Sequence, residues 1–458
     1  MSNKHEAYTL THEQKSEFYG QMVKIAIPVI IQNIISIGLG VADTMMIGKL
    51  GEDQLAGVGA GNQLFWLFWG IIFGFYSGAN AHSSQYWGAG NKEKTWHVLG
   101  MDYVVGFTIG VITILTTYTV GGKLLWFFSR DPQVIQYGID YMRIACFANF
   151  FSFVSFAFIF NCRVVQKLKF VTTANVGSLF VNIFLNWVFI YGNLGAPALG
   201  VKGAALATTL TRVAELLAVI IYALVCKDHP LRVGPKKLFT FKPMFFVNVL
   251  RTAFPVVVTE TMFSLVGSAT FAIYGTIGSA ALAVIQVATN IANLAQVVFF
   301  GLGNAAAVTI GGALGVRDRE RAIEYAKISF RLALILNVIV SAMIILIAKP
   351  ISGFYDFEPD TITLMIKVIF VWAIISIPKM TNYTLVCGVL RAGGDTLYTL
   401  KVDIIGNVFI QLILCVLSVL VFKWALPVCI LFVSISDCVR LALNMKRYLS
   451  LEWINMYN

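Results

Sequence analysis

Pro28–Gly51 reads PVIIQNIISIGLGVADTMMIGKLG, an apolar run that carries one carboxylate, Asp43, about two-thirds of the way along. About 20 apolar residues wound as an α-helix cross the ~30 Å hydrocarbon core of a bilayer. The stretch is expected to be a transmembrane helix with an acid sunk in it. Such an acid costs about 2.5–3.5 kcal/mol on insertion scales, so it needs a partner, a cavity or a proton. Two readings follow: a structural acid hydrogen-bonded to a neighbouring helix, or an ion or proton site facing the bundle interior. The second is the working expectation.

The rest of the chain is built alike. Its 458 residues are 58% hydrophobic and 12% charged, with a mean hydropathy of +0.78, whereas soluble domains carry about 25% charged residues. Runs long enough to cross lie at about 22–48, 60–87, 98–120, 134–162, 168–191, 200–225, 245–274, 284–314, 325–348, 361–389, 398–422 and 424–446. The expected fold is therefore an all-α polytopic membrane protein of twelve helices. Residues 1–24 lack the apolar core and small-residue cleavage site of a secretory signal, so the first helix is expected to stay. The seven cysteines show no CxxC spacing and the five histidines no HxxxH, so neither a disulfide framework nor a metal site is expected.

The net charge of +11 is explained by its placement. With the N-terminus inside, roughly 24 Lys and Arg fall in inward loops and termini, against six outward (Lys49, Lys123, Arg130, Lys202, Lys349 and Lys423). That is the positive-inside bias, and it needs no nucleic-acid partner. Both termini are expected in the cytoplasm, in a bacterial plasma membrane. The longest polar stretch, CKDHPLRVGPKKLFTFKP (226–243), holds three prolines and reads as a linker. It separates an N-lobe (1–226) from a C-lobe (245–458), with 227–244 as the cytoplasmic connection. Pro28 and Pro255, Gly88 and Gly315, and Pro132 and Pro359 are each separated by 227 positions. The same offset pairs Gly40 with Gly267, Gly48 with Gly275, Phe73 with Phe300, and Glu93 with Glu320. A gapless register from helix through loop to helix makes the halves homologous. Six helices per half is an even number, so the repeats are parallel and form two pseudo-symmetric six-helix bundles. In parallel repeats the substrate site is expected near the midplane between the halves, with transport by rocking. No GxxxxGK[ST] loop is present, so ATP is not the expected direct energy source.

VADTMMIGKLG (41–51), WGAGNKEK (87–94), LGVKGAALATTLTR (199–212), and FNCRVVQKLKF (160–170) with LVCGVLRAGGDTLYT (385–399) resemble the multidrug and toxic compound extrusion (MATE) family over essentially the whole chain. The resemblance implies twelve helices in two lobes and efflux driven by inward Na⁺ or H⁺, with no cofactor. Asp43 matches the family's first-helix acid, which binds the coupling ion. The family's fifth helix often offers an Asn and an Asp four apart. Here VNIFLNWVFIYG supplies Asn182 and Asn186, so the second carboxylate is missing. A Na⁺ site of Asp43, Asn182 and Asn186 would hold one formal charge, and a proton site would rest on Asp43 alone. Glu260, five residues after Pro255, matches the PxxxTE pattern of some bacterial members.

Glu260 and Lys379 stand at similar depth with opposite sign: about 14 Å from Arg251 and about 18 Å from Arg391 at 1.5 Å per residue. They read as a buried ion pair pinning helices 7 and 10, or as a binding carboxylate whose Lys partner is displaced during transport. The second is favoured, because removing a charge partner in hydrocarbon is costly unless it has a use. Gln286, Asn290, Asn293 and Gln296 form a polar stripe on the eighth helix, facing either the cavity or other helices. Of the many aromatics, Trp66, Phe150 and Tyr274 are the candidates for a cavity that attracts organic cations. Arg212 and Glu215 share a helix face as a structural pair. Asp403, Asp437 and Arg440 are expected to snorkel from helix ends.

The expected function is ion-coupled export of cationic or amphipathic drugs by a monomer whose partners are its substrates and membrane lipid. A flippase for a lipid-linked precursor is the alternative within the same superfamily. A membrane-embedded enzyme would need a nucleophile–base or metal constellation, which no His or Cys cluster offers.

Overall fold

The computed structural model describes residues 10–126, 131–352 and 359–456. Twelve helices long and apolar enough to cross a membrane are present among them. They are α1 (His12–Gly48), α2 (Glu52–Gly88), α3 (Lys92–Thr119), α4 (Pro132–Val164), α5 (Lys169–Tyr191), α6 (Val201–Val225), α7 (Pro243–Gly275), α8 (Ser279–Gly315), α9 (Arg319–Ser352), α10 (Pro359–Leu390), α11 (Thr396–Val421) and α12 (Leu426–Leu449). The described residues contain no strand.

Polar side chains cap the heads of four of the helices, α1, α3, α4 and α9. Thr11 and Gln14 form a reciprocal capping box: the Thr11 amide donates to Gln14 Oε1 at 2.9 Å and the Gln14 amide to Thr11 Oγ1 at 3.2 Å. That box starts α1 ten residues before its apolar run. Asn91 Oδ1 accepts from the Lys94 amide at the head of α3, and Asp131 from the Gln133 amide ahead of Pro132 at the first turn of α4.

The repeat read from the sequence is reproduced bond by bond. After α2 the Gly90 amide donates to the Trp87 carbonyl at 3.0 Å, and after α8 the Arg317 amide donates to the Leu314 carbonyl at 3.0 Å. Gly90 and Arg317 both take positive φ, +74° and +59°. The Asp318 carboxylate then caps the Arg321 amide as Asn91 caps Lys94. Beyond Pro132 and Pro359, which are still 227 apart, the offset grows by one residue. The Lys167 amide donates to the Cys162 carbonyl as the Asp395 amide does to the Leu390 carbonyl, both at 3.0 Å, so Arg163 corresponds to Arg391. The extra residue is taken up where α10 widens to a π-helix at Leu385–Leu390, since such a turn is one residue longer than an α-turn.

Packing forms two compact units that interleave along the chain. One comprises residues 28–83 and 91–253, and the other residues 1–27, 84–90 and 254–458. In the first, Phe65, Met142, Cys146, Ile190 and Ala205 build a core from α2, α4, α5 and α6. In the second, Val284, Met365, Val368, Ala373 and Cys415 join α8, α10 and α11.

The 226–243 segment departs from the expected linker. It folds onto α3 in the first unit, with a helical turn at Pro235–Phe239. Leu231 and Leu238 are buried, and Trp96 Nε1 donates to the Pro230 carbonyl at 2.8 Å. Gly100 admits this approach, for a Cβ there would lie 2.1 Å from the Leu238 carbonyl oxygen. The polar composition that suggests a connector hides two leucines that anchor it.

Candidate functional site

Asp43 lies in the last third of α1, half-buried, and is held by α5. Asn186 Nδ2 donates to Asp43 Oδ1 at 2.5 Å and also lies 2.9 Å from Asn182 Oδ1. Asn182 Nδ2 donates in turn to Thr208 Oγ1 of α6 at 3.3 Å. Both asparagines are wholly buried, and Asn186 Oδ1 has no hydrogen-bond partner among the described residues. The i, i+4 spacing on α5 places the two amides on one face, one above the other. On α6, Arg212 Nη1 meets Glu215 Oε2 at 2.6 Å, the pair expected from their spacing. The Arg212 guanidinium is close enough to act on Asp43 electrostatically, but it bonds to Glu215. Around the same acid, Tyr141 of α4 donates to Asn62 Oδ1 of α2 at 3.2 Å. The structure thus brings together Asp43, Asn182 and Asn186, and the carboxylate is touched by a neutral amide.

The expected Glu260–Lys379 pair does not form. Glu260 Oε1 accepts from Arg391 Nη2 at 2.8 Å, with side-chain exposures of 22% and 5%. Arg391 is the counterpart of Arg163, whose Nη2 lies 3.4 Å from Gln32 Oε1, one position before the residue that corresponds to Glu260. The depth argument assumed a regular helix through Arg391. The π-turn at 385–390 displaces everything after it by one residue, a rotation of about 100°, and the guanidinium reaches α7 instead of the helix end. Lys379 instead sits with its ammonium 4.7 Å from the centroid of the Trp372 ring.

Asp403, Asp437 and Arg440 do not snorkel. All three are buried, with Arg440 Nη1 at 3.2 Å from Asp403 Oδ1 and 2.7 Å from Asn407 Oδ1, and Nη2 at 2.5 Å from Asp437 Oδ1. One guanidinium fork shared by two carboxylates and an amide is a fixed geometry.

A model of the MatE family matches residues 28–188 and again residues 255–451. The chain belongs to the MatE family. Its two matched segments begin at the prolines that opened the repeat. The probable multidrug resistance protein NorM of Thermotoga maritima is 25% identical over 397 residues, covering 85% of this chain and 83% of that protein. The multidrug resistance protein NorM of Burkholderia vietnamiensis is 27% identical over 387 residues, 81% of each chain. The fold is shared with a solved MOP superfamily transporter from Pyrococcus furiosus, described as having a binding pocket of reverse polarity that suggests a different function. The TM-score is 0.84 at 19% identity, over 97% of this chain and 98% of that one. MatE membership makes the chain a multi-pass membrane transporter and not an enzyme.

The remaining candidates of this MatE protein fall apart from one another. Tyr274 is 7% exposed and packed inside the apolar core of the second unit. Phe150 fills the contact between α3 and α4, where a Cβ on Gly110 would meet its ring at 2.5 Å, and packs edge-on against Phe107 and Phe151. Both rings are taken up by helix packing, Phe150 against the open space at Gly110 and Tyr274 within the apolar cluster. Trp66 is 64% exposed on α2. Asn290 and Asn293 are exposed on α8, away from its packed face, while Gln296 borders a small apolar pocket with Phe299, Trp372 and Met380. Gln286 belongs to α8, and its side chain lies outside what is described.

A buried acid on α3 escaped the sequence reading. Asp102 is 2% exposed; its Oδ2 accepts from Asn161 Nδ2 at 2.7 Å, and Asn161 Oδ1 accepts from Ser83 at 2.9 Å. Its signal was present as a lone acid ten residues into an apolar helix, the same kind of signal that singled out Asp43.

Proposed function

We propose that this protein is a secondary antiporter of a bacterial plasma membrane, exporting cationic or amphipathic organic compounds in exchange for H⁺ or Na⁺. Both termini would face the cytoplasm, and the homologous halves would alternate access by rocking. The observation that carries the reading is the Asp43–Asn186 contact. This carboxylate meets an amide, whereas Glu215, Glu260, Asp403 and Asp437 each bond to an arginine. A carboxylate with no tethered cation in direct contact is available to a mobile cation, since an opposite charge favours its ionised form and hydrocarbon disfavours it. Of the two such acids here that meet an amide, Asp102 is sealed at 2% exposure, whereas Asp43 is half-buried and reachable.

Loading H⁺ or Na⁺ onto Asp43 from the outside removes the counter-charge of a bound cationic compound, which leaves. Release of the ion to the cytoplasm restores the carboxylate for the next compound. Asn186 suits both ions. As it stands its Nδ2 supports the bare carboxylate; a half-turn of the amide brings the orphaned Oδ1 beside it. There the oxygen accepts from a protonated Asp43 or joins it around Na⁺, an ion that takes hard oxygen donors. Asn182 fixes Asn186 from the turn before. The named multidrug resistance relatives support the substrate class.

The test is ethidium efflux in vesicles under separately imposed Na⁺ and pH gradients. Efflux driven by at least one gradient is expected. Efflux responding to neither removes the antiport reading.

A further inference from the structure

The C-terminal half holds a cation that the ion network leaves over. Lys379 comes from α10, where Glu260 was expected to meet it, but Glu260 belongs to Arg391. Asp437, the acid that acts on Lys379 most strongly, is bonded to Arg440 Nη2, and Asp403 to Arg440 Nη1. Among the described residues no hydrogen bond or ion pair reaches the Lys379 ammonium; its contact is the Trp372 face. An ammonium has three donors and no acceptor capacity, and leaving those donors unmade at membrane depth is costly.

Trp372 is also a wall of the small apolar pocket, together with Ala292, Gln296, Phe299, Ser376 and Met380. The pocket lies within one compact unit, among α8, α9 and α10. An apolar recess and an ammonium therefore share one indole ring. Gln296 and Ser376 add neutral hydrogen-bonding groups to the lining.

We propose that Lys379 and the Trp372 pocket form an anion subsite that receives the carboxylate of a zwitterionic amphiphile, whose apolar tip enters the recess. The inference rests on the transport reading above and narrows its substrate class. A compound with a carboxylate as well as an amine meets a partner here that a purely cationic compound does not. The occupant is a small transported molecule. The ammonium is a point charge with rotatable donors, so a single carboxylate oxygen satisfies it without the planar register that a guanidinium demands.

The test uses the full-length protein in proteoliposomes, with an aromatic amine–carboxylate probe and its methyl ester. Ethidium efflux by the wild type in the same vesicles reports the antiport reading separately. Lys379→Gln is expected to lower the carboxylate-to-ester efflux ratio at least about tenfold, the scale of one hydrogen bond to a charged group. Lys379→Glu should lower it further, and Lys379→Arg should restore most of it. A ratio that Lys379→Gln leaves within about twofold of wild type, far below that scale, overturns the proposal. Should the variants fail to fold, thermal stabilisation of the purified wild type decides. Greater stabilisation by the carboxylate than by the ester supports the subsite. Equal stabilisation, or the same protection from an anionic lipid alone, overturns it.

Discussion

Removing Arg391 should cost far more than its place near the end of α10 suggests. Its guanidinium is 5% exposed and lies 2.8 Å from a Glu260 carboxylate that is 22% exposed. Deleting one member of a buried ion pair leaves the other charge unpaired, at about 3–5 kcal/mol. The partial exposure of Glu260 puts Arg391→Leu at the lower end, about 3 kcal/mol. Glu260→Leu alone should cost a similar amount, whereas the double replacement should recover most of the loss, because a buried pair is often no more stable than apolar residues of the same volume. The assay is a double-mutant cycle on thermal unfolding in detergent, run for Glu260 with Arg391 and, in parallel, for Glu260 with Lys379. With each single replacement costing about 3 kcal/mol and the double about 1 kcal/mol, the first cycle should give a coupling of about 5 kcal/mol, and the second under about 0.5 kcal/mol. A larger coupling to Lys379 than to Arg391 would refute the reasoning, and with it the rotation introduced by the π-turn.

Asn186→Leu removes the donor to Asp43 and the link to Asn182; gradient-driven ethidium efflux in vesicles should fall about tenfold, the scale of one hydrogen bond to a charged group. Gly100→Ala forces a methyl to 2.1 Å from the Leu238 carbonyl oxygen, so limited proteolysis should cut the 226–242 segment faster, with a loss of about 1–3 kcal/mol. His229 in that segment is buried on Phe158 and accepts from the Leu231 amide through Nδ1. Burial, with Lys167 beside it, lowers its pKa from the ordinary 6.5. The folded segment therefore favours neutral imidazole: its contribution is complete above about pH 6.5 and is lost as pH falls through the lower folded value. Hydrogen-exchange protection at 229–239, with the intrinsic pH dependence of exchange divided out, should fall on acidification, and His229→Gln should flatten that dependence; an equal acid response in the variant would remove His229 as its source.

The helices and their repetition were legible because hydrocarbon leaves the backbone few options. Twelve apolar runs became twelve helices, and the 227-residue offset became matched turns at Gly90 and Arg317 with matched caps at Asn91 and Asp318. Asp43 stood out as an acid on an apolar background, and spacing puts Asn182 and Asn186 on one helix face; that the three belong together is what the resemblance to the MATE family implies. Partnerships between distant helices were not legible. Glu260 was assigned to Lys379 by counting residues along ideal helices, and a single wide turn between Lys379 and Arg391 was enough to redirect it. The burial of Asp403, Asp437 and Arg440 was missed for a related reason: nearness to a helix end says nothing of whether neighbours cover that end.

Aromatic residues were the least legible. Phe150 and Tyr274 were candidate cavity rings, yet Phe150 fills the space that Gly110 leaves and Tyr274 sits in an apolar core. A ring that attracts an organic cation and one that fills a helix contact have the same sequence. The 226–243 segment failed in the opposite sense, for its prolines and lysines mask Leu231 and Leu238, which dock it on α3.

The claim beneath all of this is that Asp43 exchanges a small ion for an organic cation. It is tested most directly by adding tetraphenylphosphonium to purified protein in weakly buffered detergent and following H⁺ and Na⁺ release. Wild type should release one of the two ions on binding the cation, and Asp43→Asn should release neither. Release from Asp43→Asn equal to that from wild type would contradict the account.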